Sequence, residues 1–272
     1  ISSLAIAFMM VISMSIMVHS FRQTVIVWID QTLRADLFVR VAGGRDIDYQ
    51  HTLPSESVEK LKSLKGIAAV DQFRALDITH NDLPVVLATG DFSVLSQYGN
   101  LVIKTGPPAQ KLAHVMVNQN RAMVSEAFSL KHKVSVGDNI ELQTPSGAAQ
   151  MEVAAIYFDY SRGRGYIILD RTTFLNYYRE TAINSFVIYL DDKTQLDSTR
   201  KEILKTLKDH RLIIRSNSEL KQQVLEVFDK TFAITYSLEI IAILVAVLGL
   251  FNTLVSLILE RKREIGILRF IG

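Results

Sequence analysis

One run of sequence limits what this chain can be more than any other. Ile240 to Leu259 (IIAILVAVLGLFNTLVSLIL) carries no charged residue. Wound as an α-helix it measures roughly 30 Å, the thickness of a bilayer's hydrocarbon core. A charged collar, Glu260-Arg261-Lys262-Arg263-Glu264, follows at once. The collar leads into Ile265-Gly266-Ile267-Leu268-Arg269-Phe270-Ile271-Gly272, a short amphipathic segment. The chain therefore reads as a membrane protein, and everything upstream must lie on the membrane or across it.

A second apolar run opens the chain. Ile1 to Val18 is uncharged, its polar residues being serines. A signal peptide would want a basic start and a small-residue cleavage site, but His19-Ser20-Phe21-Arg22 follows instead. A transmembrane helix is the better reading. The chain starts at Ile1 inside an apolar run and stops at Gly272 inside an amphipathic one, which reads as a fragment of a longer protein. Phe21, Val25, Trp28, Ile29 and Leu33 then share one helical face, so the helix continues as a stalk. A matching stalk precedes Ile240. Ser216 and Glu219 have capping-box spacing, and Leu220, Val224, Val227, Phe228 and Thr231 line one face after them. The two stalks are expected to pack on each other.

Between the stalks the pattern changes. Asp36 to Ala42 alternates as a strand, and Gly43-Gly44 breaks it. Pro54 to Lys65 reads as a helix. Ala69 to Thr79 and Leu83 to Ala88 read as strands turned at His80-Asn81-Asp82. The same order returns later, with a strand over 184–190, a helix over 196–208 and a strand over 212–215. In between, 111–182 is dense in short apolar runs and turns, which suggests a small barrel or sandwich. The expected fold class is α+β: a mixed α/β layer of two strand–helix–strand units with an inserted β-rich subdomain, flanked by stalks continuous with two membrane helices. The expected boundaries are 1–20 (membrane helix), 21–37 (stalk), 38–110 with 183–215 (α+β layer), 111–182 (insert), 216–237 (second stalk), 238–259 (membrane helix) and 260–272 (terminal segment).

Charge orients the chain. Arg261, Lys262, Arg263 and Arg269 follow the second apolar run, whereas only Lys221 and Lys230 lie near its start. The positive-inside rule puts the terminal segment in the cytoplasm and, after two crossings, the central domain outside. Within the run, Ala242, Ala246, Gly249, Thr253 and Ser256 recur at spacings of four and three, a stripe of small residues that lets another membrane helix approach closely. Asn252 adds an amide that is costly to leave facing lipid.

The terminal segment carries a family resemblance. Glu260-Arg261-Lys262-Arg263-Glu264-Ile265-Gly266-Ile267-Leu268-Arg269-Phe270-Ile271-Gly272 resembles the coupling helix of FtsX-like (MacB-type) ABC transporter permeases. Val124-Ser125-Glu126, Val136-Gly137-Asp138 and Phe158-Asp159-Tyr160-Ser161 resemble segments of that family's external domain, and Phe228-Asp229-Lys230-Thr231-Phe232 its second stalk. The resemblance implies a permease subunit that docks on a separate ABC-type ATPase through Glu260, Arg261, Arg263, Glu264, Ile265, Gly266, Leu268, Arg269 and Gly272. It implies ATP and Mg on that partner and no cofactor in this chain. It also implies a second permease half or copy, an extracytoplasmic protein or lipid partner, and a place in the bacterial cytoplasmic membrane. The work done outside would be lipoprotein or lipid extraction, efflux, or activation of a hydrolase.

The residues themselves offer no catalytic constellation. There is no phosphate-binding G-x-x-x-x-G-K-[ST] run and no Cys, and six scattered histidines show no metal spacing. A net charge of +2 gives no nucleic-acid signal. The alternative reading is a two-helix extracytoplasmic sensor of a signalling receptor. Such a chain would continue into heptad-patterned helices, which Gly266 and Gly272 disfavour.

Overall fold

The computed structural model describes the backbone of residues 2–42, 49–159 and 163–271, and their side chains except at 2–7, 28, 31, 32, 263–265 and 267–271. The predicted break at Gly43-Gly44 and the packing role of Trp28 lie outside the described residues. In chain order the elements are α1 (Ser2–Thr32), β1 (Leu37–Val41), α2 (Glu56–Lys62), β2 (Ile67–His80), β3 (Leu83–Gly90), α3 (Phe92–Tyr98), β4 (Ile103–Thr105) and α4 (Leu112–Met116). There follow β5 (Arg121–Ser125), α5 (Glu126–His132), β6 (Asn139–Thr144), β7 (Gly147–Tyr157), β8 (Tyr166–Asp170), α6 (Arg171–Tyr178), β9 (Ser185–Leu190), α7 (Leu196–Thr206), β10 (Leu212–Ser216) and α8 (Asn217–Ile271). They form two compact units, one of Ile1–Trp28 with Lys221–Gly272, the other of Ile29–Leu220.

The Ile29–Leu220 unit is α+β, built on one mixed sheet of ten strands in the order β10-β1-β9-β2-β3-β8-β5-β7-β4, with β6 beside β7. Strand β2 makes it one sheet. Its first half pairs with β9 and its second half with β3. The β2–β3 hairpin closes through Asn81 and Asp82, both at positive φ (48° and 60°). Two left-handed residues suit the right-handed twist of the strands, and Asn and Asp accept that conformation readily.

The two strand–helix–strand units meet at β1 and β9, which pair with each other. Helices α2 and α7 cover one face of this half, where Leu37, Val39, Val58, Leu61, Phe186, Ile188 and Ile203 form one apolar cluster. The 111–182 segment differs from the closed barrel or sandwich that its texture suggests. Its strand β8 lies parallel to β3, so its strands extend the sheet edge to edge. The reason is burial on both faces. Val85 and Leu87 of β3 join one cluster with Phe128 and Phe174, while Val86 and Ala88 join another with Phe92, Leu112 and Met116. Helices on each side of a sheet bury successive residues alike, so its strands read as solid apolar runs.

Short caps fix the helices that line these clusters. Asp91 accepts from Ser93 N and Val94 N at the start of α3, Ser125 from Phe128 N at the start of α5, and Asp170 from Thr172 N at the start of α6. At the start of α8, Ser216 N donates to Glu219 Oε2 (2.8 Å) and Glu219 N to Ser216 Oγ (3.2 Å), the reciprocal box that the spacing predicts.

The other unit contains most of α1 and α8. Phe8–Val27 and a stretch within Asn217–Lys262 are long and apolar enough to cross a bilayer. Leu248 is 67% exposed and Phe251 66%, so Ile240–Leu259 is no core helix of a soluble globule. Helix α8 runs for 55 residues without a break, and the terminal segment continues it rather than forming a separate helix.

Candidate functional site

The residues singled out by sequence fall on α8, and the seam between α1 and α8 organises them. Along α8 the side chains turned inward are Leu225, Phe228, Phe232, Thr235, Glu239 and Ala246, at spacings of three, four and seven. That is a heptad pattern, the geometry of two helices packed lengthwise. Phe228 sits at its tightest point, 8% exposed. Its ring lies 5.6 Å from Phe21 of α1 and 4.4 Å from Phe232, and Arg22 Nε donates to Asp229 Oδ1 at 3.2 Å. The Phe228-Asp229-Lys230-Thr231-Phe232 motif is thus an aromatic clasp with an ion pair beside it. Phe228 faces inward as expected, whereas Val224 and Val227 (37% and 59% exposed) and Thr231 differ from expectation, because the seam takes Leu225 and Phe232 instead.

The small-residue stripe continues this seam. Ala242 lines a groove with Met10, Met14, Met17 and Leu238, and Ala246 is half-buried. Gly249, Asn252, Thr253 and Ser256 are exposed. Thr253 donates to its own helix at Gly249 O (2.9 Å), and a Cβ at Gly249 would meet nothing within 4 Å. Of the terminal residues, Glu260, Arg261 and Gly266 are exposed. The side chains of Arg263, Glu264, Ile265, Leu268 and Arg269, and the whole of Gly272, lie outside the described residues.

The Ile29–Leu220 unit holds buried polar knots. Among the described residues no three metal-ligating side chains converge. Arg74, 7% exposed, donates to Tyr49 O (2.7 Å), Asn184 Oδ1 (3.1 Å) and Glu180 Oε1 (2.5 Å). Arg171 donates to Thr181 O at 2.7 Å, and burial first, then the neighbouring Arg74, lowers its pKa. The two guanidiniums pin the strand-to-strand connections around Asn184. Asp71 is 4% exposed and accepts from Asp91 N at 2.8 Å. Burial, together with Asp91 and Asp170, raises its pKa to about 7 despite that hydrogen bond. His80 and His132, far apart in sequence, meet with ring centres 5.0 Å apart against Phe128, and burial lowers the pKa of His132. No sequence spacing signals the His80–His132 contact, which arises because α5 packs on the sheet.

The motifs of the external domain also find structural roles. Ser125 Oγ accepts from Tyr166 N as well as Phe128 N, and Glu126 pairs with Lys104. Gly137 has φ +93° and donates to Val153 O, which fixes the turn before β6. Phe158 lies under Lys104 Nζ, 5.9 Å from the ring centre, while Tyr160 and Ser161 lie outside the described residues.

Residues 1–206 match the family described as the MacB-like periplasmic core domain. An uncharacterized ABC transporter permease of Mycobacterium tuberculosis is 24% identical across 100% of this chain, which covers 32% of that protein. Another, from Methanocaldococcus jannaschii, is 26% identical over 58% of this chain and 43% of its own length. The chain thus spans less than half the length of these relatives. Among solved structures, the periplasmic region of MacB from Actinobacillus actinomycetemcomitans superposes with TM-score 0.52 at 13% identity, over 72% of this chain and 95% of that one. That likeness is one of fold.

Proposed function

The chain belongs to the family of MacB-like periplasmic core domains, its relatives are ABC transporter permeases, and from that premise we propose that it transmits ATP-driven motion of a partner ATPase to an extracytoplasmic domain. The observation that carries the proposal is the continuity of α8. It begins at Asn217, whose side chain donates to Leu33 O and Ala35 O, and its box residue Glu219 accepts from Arg200 Nη1 at 2.9 Å. From there it runs unbroken through the apolar stretch to Ile271. A helix tied to a folded domain at one end and carrying a charged, amphipathic end at the other is suited to pass displacement along its axis.

In this reading the ATPase docks on Glu260, Arg261, Arg263, Glu264, Ile265, Gly266, Leu268, Arg269 and Gly272, in the cytoplasm. ATP and Mg bind that subunit. Gly249, Asn252, Thr253 and Ser256 take a further membrane helix from a second permease half or copy, since small residues let backbones approach and an intramembrane amide favours a protein neighbour over lipid. The central domain faces the periplasm or the cell exterior, where it engages a protein or a lipid.

The test uses the full-length protein with its ATPase in vesicles. Leu268→Asp is expected to abolish copurification of the ATPase and its stimulation while leaving the external domain folded by hydrogen exchange. Unchanged copurification and stimulation would overturn the docking role.

A further inference from the structure

The groove that Ala242 helps to line has a volume of about 580 Å³ and lies wholly within the unit of Ile1–Trp28 with Lys221–Gly272. Most of its wall is apolar, with Met10, Met14 and Met17 of α1 meeting Leu238 and Ala242 of α8. Methionine is unbranched and flexible, so such a wall adapts to an irregular apolar guest. Clefts of this volume hold organic ligands of drug size.

Three polar groups interrupt the wall. Glu239 is half-buried; among the described residues it makes no ion pair or hydrogen bond, and no Lys, Arg or His lines the groove with it. Thr235 is half-buried as well. Thr231, Ser237 and Thr253 each donate to the carbonyl four residues back on α8, but Thr235 makes no such bond. The Ser13 hydroxyl of α1 also has no hydrogen-bond partner among the described residues.

The place of these groups selects the occupant. Glu239 immediately precedes the charge-free run Ile240–Leu259, so it stands at the edge of the hydrocarbon core, with Ala242 about one turn deeper. A carboxylate left unpaired against apolar side chains at that depth is costly, and a cation from outside the chain relieves the cost. A simple ammonium ion satisfies Glu239 but leaves the methionine wall empty. A plain hydrocarbon fills the wall but not the carboxylate. A phospholipid with a primary ammonium does both, and its phosphate and ester oxygens accept from the Thr235 and Ser13 hydroxyls. We propose that the groove holds one aminophospholipid of the phosphatidylethanolamine type, its ammonium on Glu239 and one acyl chain along Met10, Met14 and Met17. The proposed orientation of the chain enters only in the choice of leaflet: with the terminal segment in the cytoplasm, the lipid comes from the outer one.

The probe is phosphatidylethanolamine added to delipidated full-length protein in neutral detergent, with retained lipid counted by native mass spectrometry. The comparators carry the same acyl chains: phosphatidylcholine, whose methylated ammonium cannot donate, and phosphatidylglycerol, which has no cation. One phosphatidylethanolamine per chain is expected, held roughly tenfold more tightly than either comparator, about 1.4 kcal/mol. Glu239→Gln should erase the preference and leave the melting temperature in lipid-free detergent unchanged, since Glu239 has no partner to lose. A photoactivatable acyl chain should crosslink within 9–17 or 235–242. Equal retention of the three lipids, a preference that survives Glu239→Gln, crosslinks confined to other segments, or no retained lipid because another membrane helix fills the groove would overturn the proposal. None of these readouts involves the ATPase or the sidedness of the chain, so a failure here is separate from a failure of docking on α8.

Discussion

Asp71→Asn is expected to stabilise the Ile29–Leu220 unit by an amount that grows as the pH rises from 4 to 7 and is complete above 7. Asp71 sits on β2 among Asp91, Asp170 and Tyr189, almost without water, and accepts a hydrogen bond from Asp91 N. Its pKa rises from 3.8 to about 7. The folded state therefore holds a proton that the unfolded chain releases. Such a group favours folding fully below pH 4, and its contribution is lost as the pH climbs through 7. Integrated over about three pH units at 1.36 kcal/mol each, the loss is about 4 kcal/mol. Asparagine keeps the acceptor for Asp91 N and never ionises. The assay is thermal unfolding of residues 29–220, which hold all three apolar clusters, at pH 4 and pH 8. At roughly 2–4 °C per kcal/mol for a unit of this size, the variant should melt about 10 °C higher at pH 8 and nearly level with the parent at pH 4. Equal melting at both pH values would mean that Asp71 is ionised in the fold at no cost, and would refute the reasoning.

Phe228→Ala should open the aromatic clasp with Phe21 and Phe232 and cost about 3 kcal/mol, the low end for burying no ring where one was. Proteolysis of the full-length protein in detergent would show new cleavage near Phe21. Gly165→Ala places a Cβ 2.9 Å from Phe128 N at φ +90°, so the unit should lose about 1–3 kcal/mol by denaturant unfolding. Because the pKa of His132 is lowered, its contribution to stability is complete above the unfolded value of 6.5 and is lost as pH falls below it; His132→Phe should flatten that acid limb in a pH series of melting curves. A Cβ at Gly249 meets nothing within 4 Å, so Gly249→Leu should fold and insert normally, and under the proposed packing of a further membrane helix there it should weaken that contact in a crosslinking assay.

What was legible in the sequence follows what local physics decides. The apolar length of Ile240–Leu259, the Ser216–Glu219 box and the turn at Asn81-Asp82 depend on adjacent residues, and each is present in the fold. The sheet's unity was not legible. It depends on β2 serving two partners, β9 and β3, whose residues lie far apart in the chain. Helices α3 and α5 were hidden for a related reason. They are seven residues each, held by single Asp91 and Ser125 caps, and too short to show a helical period. The same holds for the candidate sites: the stripe from Ala242 to Ser256 could be read by spacing, whereas the groove around Glu239 draws its lining from both α1 and α8.

The seam on α8 connects these levels. Its inward positions run from Leu225 through the rings of Phe228 and Phe232 and then Thr235 and Glu239 to Ala246. Large rings hold two helices apart and in register, while small residues let them close. One heptad track thus changes from aromatic to small residues as α8 enters its apolar stretch. That gradient sits on the same unbroken helix as Asn217 and Glu260, and the proposed transmission of displacement rests on this continuity.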